Sequence, residues 1–297
     1  MWSTSMSDEL DDAVAVFSAV RRRLFGIAYR MLGTASEAED IVQDVWVRWQ
    51  TYDRSTVRDP AAFLATAATR LSINVLQSAH SRRETYIGPW LPEPVNTIDD
   101  PALGAERGEA LGFAMLLLLE KLTPTERAAY ILREAFDYPY EQIAQIVQLK
   151  EPATRQLVSR ARKKLATERR APVVSTEQRR LLAAFLQAAQ SGDVTALEEL
   201  FASDVVSYSD GNGAKLAARI PVNGRSRVAK FVAAFSGHFW AGKTIDWVEL
   251  NGQHAVTLTE NGTVTTALTM TVGDDGIQQL MWMMNPDKLG RVSSGAA

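Results

Sequence analysis

Residues 122–165, LTPTERAAYILREAFDYPYEQIAQIVQLKEPATRQLVSRARKKL, contain the pattern that decides the fold of the middle of the chain. Pro124 favours the start of a helix, and the segment 137–139 predicts a turn. A short helix around Ile143 follows, and a last helix is expected from Pro152. The pattern predicts a helix-turn-helix. The alternative at this point is a basic surface helix in an ordinary helical bundle.

The last helix of this stretch has one apolar and one polar face. Its inward positions recur at helical spacing: Thr154, Val158, Ala161 and Leu165. The opposite positions and those flanking them carry polar or basic side chains: Arg155, Gln156, Ser159 and Lys163, with Arg160, Arg162 and Lys164. Between positions 150 and 170 there are eight basic and two acidic residues. Arg and Gln reach guanine and adenine edges in the major groove, and flanking Lys and Arg contact phosphates. This face therefore predicts a DNA contact.

The overall charge of the chain does not show this basic character. The 297 residues are 46% hydrophobic and carry a formal net charge of −3, so a basic surface must be local. There is no cysteine and there are three histidines, which excludes disulfides and argues against most zinc sites. We expect neither a metal nor a cofactor. The most apolar run, at 111–119, is too short to span a bilayer, and the N-terminus lacks an export signal. These features predict a cytoplasmic protein without a membrane partner.

Two helical patterns precede the helix-turn-helix. In SEAEDIVQDVWVRWQ (36–50) the apolar side chains form one stripe. The opposite face is polar and mainly acidic: Glu39, Asp40, Gln43 and Asp44. The segment 61–83 that follows Pro60 has no carboxylate and carries three arginines, Arg70, Arg82 and Arg83. A helix without acidic residues suits a phosphate backbone. Taken alone, these features also fit a solvated acidic face and a core helix with a basic end.

The rest of the chain predicts a linker and a third domain. Proline and acidic residues cluster in ETYIGPWLPEPVNTIDD (84–100), which predicts an extended connector. Ser175, with Gln178 three residues later, predicts a capping-box start for a further helix. From Thr244 onward, Thr- and Val-rich runs are separated by Asn-Gly and Asp-Gly turns, which predicts an antiparallel meander. The expected domains are a helical domain at 10–84, a linker at 85–108, a helix-turn-helix domain at 109–170 and an α+β domain at 175–290.

Four segments, in this order, resemble the extracytoplasmic-function (ECF) sigma factors of RNA polymerase. They are LFGIAYRMLGTASEAEDIVQDVWVRW (24–49), ATRLSINVLQSAHSRRE (68–84), TPTERAAYILREAFDYPYEQIAQIV (123–147) and TRQLVSRARKKL (154–165). The motifs YIGPWLPEP (86–94) and NPDKL (285–289) are similar to those of the SigJ-type subgroup. The resemblance implies a multidomain fold, with two all-α helical domains called regions 2 and 4 and an α+β SnoaL-like or NTF2-like cone at the C-terminus.

The resemblance also implies a protein that binds core RNA polymerase, directs it to promoter DNA and initiates transcription. The family's surface for the β′ clamp helices matches Glu39, Asp40, Gln43 and Asp44. Region 4 is expected at the β flap, and the linker near the polymerase active cleft. The family position that accepts a base flipped from the −10 element matches Asn74, in the loop-like LSINV segment, with Arg70, Arg82 and Arg83 as further −10 contacts. The helix that reads the −35 element matches Arg155, Gln156, Ser159, Arg160 and Lys163.

For the third domain the resemblance implies a regulator of the sigma domains rather than an enzyme. The implied intramolecular contact involves the linker, the loop DGNGAK (210–215) and NPDKL: Trp90, Pro92, Glu93, Asp210, Gly211, Gly213, Asn285, Pro286, Asp287 and Lys288. In that loop Asn212 replaces a glycine of the subgroup and is expected to accept a positive φ, whereas Lys215 stands one place late.

Two other functions fit parts of the sequence. An enzyme of the SnoaL type would need an acid or base at a pocket, for which the candidates are Asp210, Asp246, His238 and His254. Its candidate walls are Tyr208, Trp240, Trp247 and Trp282, for which core packing is the simpler role. A helix-turn-helix repressor would bind duplex DNA without polymerase, but it leaves the acidic face and YIGPWLPEP unexplained.

Overall fold

The structure, a computed structural model, describes residues 2–83, 86–97, 112–166, 175–214 and 216–292, with side chains from residue 10 onward and none at 79–83. These residues form two compact units. The first unit contains the N-terminal helices and the helix-turn-helix. The second contains residues 86–97, 112–114 and everything described from Ser175 onward. No helix of the described residues is both long and apolar enough to cross a bilayer.

The N-terminal part of the first unit consists of three helices, α1 (Trp2–Leu32), α2 (Ala35–Thr51) and α3 (Pro60–Arg83), with a 3-10 turn at Arg54–Thr56. Helix α1 packs along both α2 and α3. The predicted apolar stripe of α2 is confirmed, because Ile41, Val42, Val45 and Trp49 are buried. Asp59 caps α3 by accepting a hydrogen bond from the N–H of Ala62 at 3.0 Å.

The predicted helix-turn-helix is confirmed and follows α4 (Phe113–Leu119). It consists of α5 (Pro124–Glu134), α6 (Tyr140–Val147) and α7 (Glu151–Ala166). A capping box of Thr123 and Glu126 starts α5. Two residues have left-handed backbone conformations: Asp137 (φ 56°) in the turn before α6, and Gln148 (φ 59°), which ends α6. The four predicted inward positions of α7 are buried, together with Leu157.

The part of the second unit from Ser175 onward, which we call the sheet domain, has a mixed α+β fold. Helices α8 (Ser175–Ser191) and α9 (Val194–Leu200) precede β1 (Phe201–Asp210) and β2 (Val222–Asn223). Two more helices, α10 (Arg225–Ala234) and α11 (Ser236–Phe239), lead to β3 (Thr244–Leu250), β4 (Gln253–Glu260), β5 (Thr263–Gly273) and β6 (Gly276–Met283), and α12 (Pro286–Leu289) follows. Two helical regions followed by an α+β domain confirm the predicted fold class.

The sheet has the order β2-β1-β6-β5-β4-β3. The meander β3 to β6 is antiparallel, as predicted, with left-handed residues at the Asn251 and Asn261 turns. Sequence analysis missed β1, which lies parallel to β6 and falls between α9 and α10 along the chain. The predicted helix start at Ser175 is confirmed, but the Gln178 side chain does not have the predicted capping-box role. The Gln178 amide instead donates to the carbonyl of Met270 at 2.8 Å and accepts the N–H of His254, which ties α8 to the sheet.

Both faces of this sheet are covered. Side chains such as Leu258, Leu268 and Trp282 pack with α8 to α11 in one apolar core. Their neighbours along the strands point to the other face, because successive side chains of a strand alternate. On that face Met281 and Met283 are fully buried as well.

Candidate linker-docking and promoter-contact sites

The linker residues 86–97 contact the sheet domain at two places, and the first is centred on Asp210. Asp210 ends β1 and lies beside Met283 of β6 in the sheet register. Its side chain is fully buried and accepts hydrogen bonds from the hydroxyl of Tyr86, the N–H of Leu91 (2.7 Å) and the ammonium of Lys288 (2.6 Å). Two of these three donors belong to the linker. We call this cluster of Asp210, Lys288, Tyr86 and Leu91 the linker lock.

Lys288 contributes to the linker lock with its side chain 7% exposed. Its ammonium donates to the carbonyl of Leu91 at 2.5 Å and lies 4.4 Å from the centre of the Trp90 ring. A buried ammonium is costly unless a carboxylate and further acceptors surround it. Here Asp210 and the Leu91 carbonyl supply acceptors, and one of these two belongs to the linker.

Asn285 and Tyr86 complete the lock. The Asn285 side chain caps α12 by accepting the N–H of Asp287 at 3.1 Å and donates to the Tyr86 hydroxyl at 3.0 Å. Pro286 is the first residue of α12, where its fixed φ suits a helix start. Burial, and after it the hydrogen bond to Asp210, raise the pKa of Tyr86 above its usual range. The tyrosine is therefore held as a neutral donor.

The loop after β1 adopts the predicted tight turn. Asn212 has a φ of 43° and Gly213 a φ of 91°, so asparagine does accept the left-handed conformation. A side chain on Gly211 would lie 2.3 Å from Cβ of Ala217, which requires glycine there. Lys215 lies outside the described residues.

The second contact runs along the end of β3. Val95 makes two hydrogen bonds with Asn251: its N–H donates to the side-chain oxygen at 3.0 Å, and its carbonyl accepts the backbone N–H at 2.9 Å. The N–H of Thr97 donates to the carbonyl of Glu249 at 3.4 Å. These contacts add an extended segment to the edge of the sheet.

The remaining predicted linker residues lie between the two contacts. Pro92 is buried, and Glu93 is 2% exposed with one carboxylate oxygen 3.9 Å from the guanidinium of Arg291. Sequence analysis named Trp90, Pro92 and Glu93 but missed Tyr86 and Leu91, which supply two of the three donors to Asp210. The motif YIGPWLPEP could have indicated these contacts, because aromatic residues in a proline-rich connector predict that the connector packs against a folded domain.

The predicted −35 residues share one exposed face of α7: Arg155, Gln156, Ser159, Arg160 and Lys163. The guanidinium of Arg155 is held by Glu151 at 2.6 Å and lies 4.3 Å from the centre of the Tyr140 ring. Two flanking basic residues have structural contacts instead. Arg162 pairs with Glu134 at 2.5 Å and Lys164 donates to the carbonyl of Lys121, so both brace α7 within the unit.

The predicted −10 residues lie on α3. Asn74 is exposed, but it lies in the middle of a helix, so its assignment to a loop-like segment is wrong. The apolar positions around it keep helical spacing and pack on α1. Arg70 donates to the carbonyls of Gln145 at 2.9 Å and Ile146 at 3.1 Å, near the end of α6. A guanidinium at a helix C-terminus satisfies its free carbonyls. The side chains of Arg82 and Arg83 lie outside the described part of the chain.

A second arginine joins the N-terminal helices to the helix-turn-helix. Arg127 of α5 is buried and donates to the carbonyl of Met31, in the last turn of α1, at 2.7 Å and to Glu120 at 2.7 Å. Burial lowers the pKa of Arg127 to about 10. The helical regions therefore form one unit through polar contacts at helix ends.

The predicted acidic surface of α2 is largely exposed. Asp40, Gln43 and Asp44 point to solvent, and Glu39 is half-buried and pairs with Arg21 of α1 at 2.6 Å. The two exposed carboxylates, Asp40 and Asp44, lie one turn apart beside Gln43 and form a negative patch suited to a basic partner.

Comparisons with known proteins match both helical regions of the chain. Family models describe residues 16–82 as Sigma-70 region 2 and residues 113–165 as Sigma-70, region 4. The chain is 37% identical, over 226 residues, to the ECF RNA polymerase sigma factor SigJ of Mycobacterium tuberculosis, covering 74% of this chain and 72% of SigJ. The chain belongs to the ECF RNA polymerase sigma factors. It is also 32% identical over 204 residues to the probable ECF sigma factor SigI of the same species, covering 67% of this chain and 70% of SigI.

A crystal structure of the M. tuberculosis sigma factor SigJ extends the likeness to the third domain. It matches this sigma factor with a TM-score of 0.76 and 31% identity, covering 95% of this chain and all of that one. The match therefore includes the sheet domain and is not limited to regions 2 and 4. Sigma factors are transcription initiation factors and not enzymes, and they act with core RNA polymerase on promoter DNA.

The four acid–base candidates of this sigma factor do not meet in a pocket. Asp210 belongs to the linker lock, and His254 bonds Ser175 through Nε2 at 2.9 Å. His238 is exposed beside the Phe235 ring, and Asp246 pairs with Thr257 in the β3–β4 ladder. Of the candidate walls, Trp240 and Trp282 line a pocket of the sheet domain, whereas Tyr208 and Trp247 are not among its lining residues.

Proposed function

We propose that this sigma factor directs core RNA polymerase to promoters with −10 and −35 elements, and that its sheet domain modulates this activity by holding the linker. In this proposal α7 binds the −35 element through Arg155, Gln156, Ser159, Arg160 and Lys163. Helix α3 contacts the −10 element through Asn74, Arg70, Arg82 and Arg83. The exposure of the α7 face and of Asn74 supports these roles.

The proposal includes two contacts with polymerase, one of which is supported by charge. Glu39, Asp40, Gln43 and Asp44 bind the β′ clamp helices, and region 4 binds the β flap. The exposed acidic groups of α2 support the first contact, because opposite charge steers association and fixes orientation.

The linker lock carries the regulatory part of the proposal. In the sigma family the linker passes near the polymerase active cleft, so the sheet domain and the polymerase compete for residues 86–97. The supporting observation is the buried ion pair of Asp210 and Lys288, which is also hydrogen-bonded to Tyr86 and Leu91 of the linker. Loss of the lock then frees the linker for polymerase.

Promoter-dependent transcription with limiting core polymerase tests this competition. Lys288→Met removes the lock ammonium, while Lys230→Met removes an exposed ammonium of α10 and serves as the matched control. We expect K288M to give several-fold more transcript than the wild type and K230M to equal the wild type. An unchanged or lower yield from K288M contradicts the competition. Absence of promoter-dependent transcript from every variant contradicts the sigma activity itself.

A further inference from the structure

The charges of the sheet domain are unevenly distributed along its sequence. Residues 175–292 include twelve Asp and Glu and ten Lys and Arg. The segment 211–243 contains six of those ten basic residues and none of the acidic ones. This segment covers the loop after β1, strand β2 and helices α10 and α11. A domain with a small excess of acidic residues therefore has one strongly basic segment.

Three arginines of this segment occur within nine positions around the start of α10. Arg225 and Arg227 belong to the first turn of the helix, and Arg219 belongs to the loop before β2. All three are exposed. Within the described part of the chain, none of the three guanidinium groups has a hydrogen bond or an ion pair. We call these three side chains the arginine surface.

The arginine surface does not stabilise the fold of the domain. Cations in the first turn of a helix oppose its macrodipole, because the positive end of the dipole lies there. The first turn of α10 contains no acidic residue that would offset Arg225 and Arg227, and Gly224 before it provides no side-chain cap. Exposed, unpaired and unfavourably placed arginines favour a role with a negatively charged partner outside the domain.

Phosphate is the anion that this surface fits best. The planar guanidinium of arginine matches two phosphate oxygens with two parallel hydrogen bonds. Sigma factors act on promoter DNA, and α7 carries the predicted −35 contacts. Eight residues separate Ala166, at the end of α7, from Ser175, at the start of α8, so this stretch of chain spans at most about 30 Å. DNA that is bound by α7 is therefore within reach of the sheet domain.

We propose that Arg219, Arg225 and Arg227 of the sheet domain contact the phosphate backbone of promoter DNA beside the −35 element. The contact adds affinity without sequence preference, because phosphates carry no base identity. Its place on the DNA rests on the proposed −35 role of α7. The contact does not depend on the linker lock, since none of the three arginines belongs to that cluster.

The salt dependence of DNA binding tests the phosphate contact. The full chain, together with core polymerase, is titrated onto a fluorescent promoter fragment at about 50 and about 200 mM salt. Arg225→Gln with Arg227→Gln removes two phosphate contacts, so the affinity lost between the two salt concentrations should be about 12-fold smaller than in the wild type. Arg179→Gln with Arg180→Gln removes two exposed arginines from α8 and is the matched control. Its loss should equal that of the wild type within about twofold.

Crosslinking tests where the contact lies. The chain contains no cysteine, so Ser226→Cys, between two of the arginines, supplies a unique thiol for an azidophenacyl label. In the polymerase–promoter complex we expect this label to crosslink DNA beside the −35 element, and the same label at Ala183→Cys, an exposed position of α8, to give no DNA adduct.

Three results overturn the proposal. They are wild-type salt dependence in R225Q/R227Q, equal DNA crosslinking from positions 183 and 226, and crosslinks from position 226 to a polymerase subunit alone. The last result would assign the arginine surface to a protein partner. Failure of the −35 role of α7 would show separately, as unchanged promoter preference in Arg155→Ala, so the two failures are distinguishable.

Discussion

Replacing Asp210 by alanine removes a carboxylate that is fully buried and accepts hydrogen bonds from Tyr86, Leu91 and Lys288. The Lys288 ammonium then remains buried, with the Leu91 carbonyl as the acceptor that this cluster still offers. Removing one partner of a buried ion pair costs about 3–5 kcal/mol, because the other charge is left uncompensated. Linker docking should weaken by a large part of that free energy.

Hydrogen exchange at Val95 and Thr97 measures this effect away from the mutated side chain. Their amides donate to Asn251 and Glu249, at the second contact, and not to Asp210. If the linker undocks as one unit, a loss of about 3 kcal/mol speeds exchange of both amides by about 100-fold. Asp274→Ala removes an exposed carboxylate from the β5–β6 turn and should leave both rates unchanged.

A double variant separates charge from hydrogen bonding. Asp210→Asn alone leaves the buried Lys288 ammonium without its counter-charge, and K288M alone does the same to the buried Asp210 carboxylate; each single change costs about 3–5 kcal/mol. D210N/K288M contains neither buried charge, so its destabilisation should be smaller than the sum of the two single effects by about 0.5–3 kcal/mol. Wild-type exchange at Val95 and Thr97 in D210A, or strict additivity in the cycle, would refute the lock.

Three further outcomes are expected. The raised pKa of Tyr86 favours its protonated form when the linker is docked, so the contribution of Tyr86 to docking is fully present below the ordinary tyrosine pKa of about 10 and is lost as the pH rises through the raised pKa. The tyrosinate absorbance that disappears in Tyr86→Phe should therefore be one that titrates above the ordinary tyrosine pKa; titration at the ordinary value would contradict the buried hydrogen bond to Asp210. Arg155→Ala should cost about 1–3 kcal/mol at one −35 position in promoter-binding titrations, whereas Lys163→Ala should weaken all promoters alike; a uniform loss in R155A would make it a phosphate contact. Asp40→Arg with Asp44→Arg should weaken binding to core polymerase by at least about tenfold, and unchanged affinity would exclude the α2 face from that interface.

Much of the helical part could be predicted from local patterns. The stripe at Ile41, Val45 and Trp49 and the inward positions of α7 follow from helical spacing, because a helix that buries one face must repeat its apolar residues. The meander followed from its turns, since Asn-Gly pairs accept the left-handed backbone of a tight hairpin. Strand β1 was missed because its partner β6 is parallel and lies about 70 residues further along the chain.

The site residues also divide into those that local sequence patterns predict and those that only tertiary contacts reveal. The sequence by itself determined which segments carry the DNA-contacting residue types, the acidic face and the linker motif, since these depend on composition and spacing within one element. Tertiary structure alone decided that Tyr86 and Leu91 share Asp210 with Lys288, and that Arg70 caps α6. Such contacts join residues far apart in sequence, and whether a buried charge is satisfied depends on where all its partners lie in space.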